Sequence, residues 1–148
     1  MLTLTVLPED LAICRLSMDE AVPEWAMLGE FVSITHTPDE LSIVCAAKNV
    51  PAEENVPPDV KVDRGWRALK VEGPLDLALT GILASLANPL AEAQINIFAI
   101  STFDTDYLLV KGYNLARACD VLWQAGFVVN DMPHPRHCRN SIGTYGLS

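Results

Sequence analysis

The chain has 148 residues, half of them apolar, which is enough for one ordinary core or two small ones and too many for wholesale disorder. Its 10 basic and 19 acidic residues give a net charge of −9, which repels phosphate backbones and anionic lipid, because both are bound chiefly through Lys and Arg. Nucleic acid and membrane surfaces are thus not expected partners.

The N-terminal apolar run ends at Pro8-Glu9-Asp10, too early for a secretory signal, and no stretch has the length of a membrane helix. The cysteines, Cys14, Cys45, Cys119 and Cys138, are dispersed with no Cys-x-x-Cys pair. They resemble neither a disulfide framework nor a zinc ribbon, and a soluble protein of the reducing cytoplasm is expected.

In chain order, Leu2–Leu7 alternates apolar residues with threonine and Leu11–Leu16 is a second apolar-rich run after Pro8-Glu9-Asp10, which predicts a β-hairpin. Phe31–Thr35 and Leu41–Ala46 predict a second one around His36-Thr37-Pro38-Asp39-Glu40. Between the pairs, Pro23 allows a short helix to begin there and carry Trp25. Pro51, Pro57 and Pro58 with Glu53-Glu54 mark 51–59 as a linker.

Beyond it, Arg67–Glu72 predicts a strand and Gly73-Pro74 a turn into a helix with proline in its first turn. Leu75, Leu79, Ile82, Leu83, Leu86 and Leu90 recur at helical spacing. Pro89 is expected to bend or interrupt that helix near Asn88, and Gly81 to face a close backbone neighbour. Ile95–Ile100 and Tyr107–Val110 predict strands; Leu115, Ala118, Cys119 and Leu122 predict a second helix that Gly126 caps. Phe127–Val129 completes a β-α-β-β-α-β order, the ferredoxin-like arrangement. The tail after Asn130 shows no period and is expected to be irregular.

Four runs carry a resemblance: Glu72-Gly73-Pro74-Leu75-Asp76, Gly81-Ile82-Leu83-Ala84, Pro89-Leu90-Ala91-Glu92-Ala93 and Ile100-Ser101-Thr102-Phe103-Asp104-Thr105-Asp106-Tyr107. They resemble an ACT domain and, more narrowly, the small two-ACT bacterial proteins related to the CASTOR arginine sensors. Ser33–Ser42 is similar to the first half of the same proteins. The resemblance implies an α+β fold of two ferredoxin-like modules in tandem, a degenerate, mostly β module over 1–62 and an ACT module over 63–130, followed by an irregular tail over 131–148. It implies a non-catalytic, regulatory amino-acid-binding protein without a cofactor, its ligand held between ACT modules at a homodimer interface. Carried over residue by residue, it points to Asp76, Leu79 and Ile82 on the helix and to Thr102, Phe103 and Asp106 at the turn. Gln94 departs from the family, standing where a glycine usually ends the helix.

The chemistry is compatible with a zwitterion: a helix N-terminus attracts a carboxylate, and a carboxylate such as Asp106 accepts charge-assisted hydrogen bonds from an ammonium or guanidinium. The plain alternative for Asp76, Asp104 and Asp106 is dipole balance and turn chemistry. His134, His137 and Cys138 have metal-ligand types but lack a fourth ligand, so no metal is expected. The rival function is a ligand-free oligomerisation or adaptor module for an enzyme of amino-acid metabolism.

Overall fold

The computed structural model describes residues 2–73, 75 and 80–131. Its regular elements are β1 (Thr3–Val6), β2 (Leu11–Leu16), β3 (Ser33–His36), β4 (Leu41–Ala46), β5 (Lys61–Val71), α1 (Ile82–Glu92), β6 (Phe98–Ser101), β7 (Asp106–Lys111), α2 (Leu115–Gln124) and β8 (Val128–Asp131). The fold is α+β. It comprises two compact units, Glu9–Trp66, and Met1–Pro8 together with Arg67–Ser148. The expected boundary at residue 62 falls inside β5, which begins at Lys61 rather than Arg67.

Within Glu9–Trp66 the strand order is β3-β4-β2-β5, all antiparallel. The β3–β4 hairpin forms as its sequence predicts. Its turn is closed by Thr37, whose Oγ1 accepts from the backbone N–H of Asp39 and Glu40, both at 3.1 Å. Pro23 precedes a 3₁₀ turn, Glu24–Met27, which buries Ala26. Ala26 joins Cys14, Leu16, Leu41, Ile43 and Cys45 in a small core against which Trp25, Val60 and Val62 pack. Where β5 meets β2 the register slips by one residue between Ile13↔Asp63 and Leu11↔Trp66. Gly65, at φ +84, absorbs the extra residue as a bulge.

The other unit contains β5-α1-β6-β7-α2-β8 in the expected ferredoxin-like order, but its sheet runs β6-β7-β5-β1-β8. β1 lies between β5 and β8, antiparallel to the first and parallel to the second, with Leu4 opposite both Val71 and Val129. The predicted β1–β2 hairpin therefore does not form. Alternation of Leu4 and Val6 with threonine specifies a strand with one buried face, but not which neighbour it pairs with. Leu4 and Val6 are fully buried with Leu69, Val71, Leu86, Leu90, Leu108, Val110 and Leu122, and that larger core accounts for the choice.

α1 also departs from expectation. Its first turn starts at Ile82, and Leu75 and Thr80 lie outside it. Gly81 is its N-cap at φ +79, and nothing lies within 4 Å of where a Cβ would stand. Left-handed backbone, rather than a close neighbour, explains this glycine. The helix is not interrupted at Asn88 but continues through Pro89 to Glu92. The proline forfeits one backbone bond, while Leu86 and Leu90 on either side of it are fully buried.

The two helices end alike. In α2, Phe127 N–H donates to Leu122 C=O and Gly126 N–H to Trp123 C=O, with Gly126 at φ +101. In α1, Ile95 N–H donates to Leu90 C=O and Gln94 N–H to Ala91 C=O, with Gln94 at φ +60. Both are Schellman motifs, and the second holds a side-chain-bearing residue where glycine fits best. Arg117 of α2 donates to the Ala93 carbonyl at this same helix end. Gln94→Gly is accordingly expected to stabilise the protein by up to about 1 kcal/mol, since left-handed backbone costs an L-residue roughly that much; a higher midpoint in urea unfolding with unchanged slope checks it.

Candidate functional site

The β6–β7 hairpin presents the acidic turn. Ser101 and Asp106 stand directly opposite each other at its mouth, and 102–105 close it. The Thr102 backbone N–H donates to Thr105 C=O at 2.8 Å, and the Thr102 hydroxyl donates to the same carbonyl at 3.1 Å. The Thr105 N–H returns a bond to Thr102 Oγ1 at 3.3 Å. Threonine at both ends thus gives the turn a defined shape.

Two contacts fasten this turn to the segment after β5. Thr105 is buried and its hydroxyl donates to the Val71 carbonyl, while Leu75 N–H donates to Asp104 C=O at 2.7 Å. Gly73 is part of the fit. A Cβ there would stand 2.9 Å from Leu75 N and 3.1 Å from Asp104 O, so the backbones approach as only glycine allows.

Asp106 is half-buried and accepts a 2.6 Å hydrogen bond from Ser101 Oγ on Oδ1. Strand alternation puts it on the same face as Leu108 and Val110, the face covered by the helices. A carboxylate has about four acceptor positions, so one hydroxyl leaves capacity for a cationic group. Thr102 is exposed, and Phe103 is 79% exposed, an unusual place for a large apolar ring. Ile82 opens α1 and packs half-buried against the larger core.

Asp76 and Leu79 lie outside the described residues, as do His134, His137 and Cys138. Thr102, Phe103 and Asp106 therefore share one turn, and Ile82 is separate from it in sequence. The expected helix start at Gly73-Pro74 is corrected to Ile82, because Gly73 serves the close backbone approach instead. Sequence reasoning passed over Ser101, Thr105 and Gly73. The legible signal was Ser101-Thr102 and Thr105-Asp106 flanking a two-residue tip, with a small hydroxyl or acid at each hairpin position. Among the described residues no three His, Cys, Asp or Glu side chains gather as metal ligands.

A family model described as an ACT domain matches residues 61–124, and a second, described as an N-terminal domain, matches 9–53. A solved Agrobacterium tumefaciens protein is 44% identical, covering 90% of this chain and 95% of its own, with a TM-score of 0.79. The Bos taurus cytosolic arginine sensor for mTORC1 subunit 1 is 28% identical over 112 residues, 66% of this chain and 33% of that protein. The regulatory subunit of aspartate kinase from Thermus thermophilus, 12% identical over 80% of this chain and 93% of its own, shares the fold at a TM-score of 0.56. The chain spans about half or less of the length of the first curated relatives it matches.

Replacing Thr105 by Val removes the hydroxyl that donates to the Val71 carbonyl in a buried place and is expected to cost about 1–3 kcal/mol, with Thr105→Ser close to wild type. Gly73→Ala is expected to force the two backbones apart. Thermal melts check both, and faster hydrogen exchange at the Leu75 amide in Gly73→Ala reports the loss of its bond to Asp104.

Proposed function

Because the chain belongs to the ACT-domain family, we propose that it is a non-catalytic regulatory protein of the cytoplasm that binds an amino acid, held between the C-terminal modules of two identical chains. One observation carries this reading: the turn holding Asp106 is built rigidly, by bonds from both threonines and by docking on Gly73–Leu75, yet its carboxylate meets only a serine hydroxyl among the contacts described above. A pre-organised acceptor loses little entropy on binding a cation. The Ser101–Asp106 pair would take an ammonium or guanidinium, Thr102 would add a hydroxyl, and Phe103 would cover the ligand's apolar part. Ile82, with Asp76 and Leu79, would supply the opposite wall. The relatives named for arginine sensing and for aspartate kinase regulation support the amino-acid class without choosing its member. The division into two ACT-like modules is part of the same proposal.

Regulation follows from linkage. A ligand that joins two modules shifts the monomer–dimer or partner-bound equilibrium by its difference in affinity for the two states, and by no more. A ligand-free adaptor is the rival, favoured by the exposure of Phe103 and of Tyr113, two aromatic rings suited to a protein contact.

A thermal-shift panel of the twenty amino acids separates the readings. One amino acid is expected to stabilise the protein by about 2.7 kcal/mol at a hundredfold excess over its dissociation constant. Asp106→Asn keeps an acceptor for Ser101 and is expected to remove that response with the unliganded Tm nearly unchanged. A flat panel at millimolar ligand would favour the adaptor.

A further inference from the structure

Large apolar side chains are exposed unevenly along the chain. Among the described residues seven are exposed, and five of them, Met18, Val22, Met27, Leu28 and Ile34, fall within 18–34. Scattered singly, such residues need no explanation, whereas a cluster marks a contact surface. The first four lie on the segment that joins β2 to β3, whose 3₁₀ turn, Glu24–Met27, packs on β4 and buries Ala26 in the small core. Side chains pin both of its ends. His36 Nε2–H donates to the Met18 carbonyl at 3.0 Å, and Asn49 Nδ2–H donates to the Leu28 carbonyl at 3.1 Å. His36 pairs with Leu41 at the start of β4 and Asn49 follows its end, so the segment is a fixed strap along a strand of six residues, about 20 Å long. Ile34 stands opposite Ile43 of the small core and thus on the face that the strap covers, at the edge of the sheet.

Charge selects the occupant. From Leu16 to Ala47 the chain has six carboxylates, Asp19, Glu20, Glu24, Glu30, Asp39 and Glu40, and no Lys or Arg. The first four are exposed and alternate along the strap with its apolar side chains. A second copy would bring like charges together, whereas a cationic partner neutralises them. Two exposed methionines suit an apolar partner of varied shape, because the thioether side chain adapts its rotamers. A length of about 20 Å matches roughly four turns of helix.

We infer that the strap and Ile34 form the docking surface for a cationic amphipathic helix of a partner protein, its apolar stripe against these five side chains and its Lys or Arg residues on the flanking carboxylates. The surface lies wholly within Glu9–Trp66 and uses no residue of the turn at Asp106. Anchors at both ends keep the strap formed before the partner arrives, which limits the ordering cost of binding.

The test is fluorescence anisotropy of the full chain with a labelled leucine–lysine helix about four turns long, beside a scrambled peptide of the same composition that has no apolar face. The patterned peptide is expected to bind, and the scrambled one to bind about tenfold more weakly or worse. Met27→Gln combined with Leu28→Asn, at positions that are each 57% exposed, is expected to weaken the patterned peptide about tenfold or more while leaving the Tm unchanged. Glu24→Gln is expected to weaken it severalfold, and Glu92→Gln, exposed on α1 of the other unit, to leave it as in wild type. The inference is overturned if the scrambled peptide binds equally well, if the double variant binds like wild type, or if Glu92→Gln weakens binding as much as Glu24→Gln. It is equally overturned if the double variant instead changes the sedimentation of the free protein, which assigns the patch to a second copy.

Discussion

Two bonds that fasten the end of β5 to the β6–β7 turn are the constraint on which the candidate site depends. Thr105 donates to the Val71 carbonyl and Leu75 donates to the Asp104 carbonyl. Without the first, a buried carbonyl at a strand end would lose a hydrogen bond, and a bond lost from a buried polar group is not returned by water. Gly73 makes the second geometrically possible, since any Cβ would collide with backbone. The acidic turn is thus a rigid projection, and Asp106 is aimed by the frame rather than by its own flexibility.

That frame rests on a sheet whose middle is assembled from distant parts of the chain. β1 and β5 are joined through Leu4↔Val71 and Val6↔Leu69, and β8 completes the parallel side of β1. The larger core, built from both helices and these strands, is separate from the small core around Ile43 and Cys45. Each unit therefore has its own reason to fold. In the smaller one, a bulge at Gly65 shapes the entry to β5.

Local rules and tertiary demands meet most visibly at α1. Pro89 and Gln94 each break a helix preference, the first by lacking an N–H and the second by adopting left-handed backbone. Both are tolerated because Leu86, Leu90 and Ile95 are buried around them, and burial of large aliphatic side chains returns about 1.5–3 kcal/mol each. Gly126 at the end of α2 carries the same motif without the conflict.

By itself the sequence determined what short-range physics encodes: the α+β order from β5 to β8, the β3–β4 hairpin with its Thr37 turn, the Gly126 cap, and the turn that gathers Thr102, Phe103 and Asp106. Hydrophobic period and turn residues act within a few positions, so these were legible. Only the tertiary structure decided that β1 pairs with β5 and β8, that α1 begins at Ile82, that the helix runs through Pro89, and that Gly73 and Thr105 lock the turn. Each of those depends on which distant backbone or core side chain arrives beside the residue, and no local spacing carries that information.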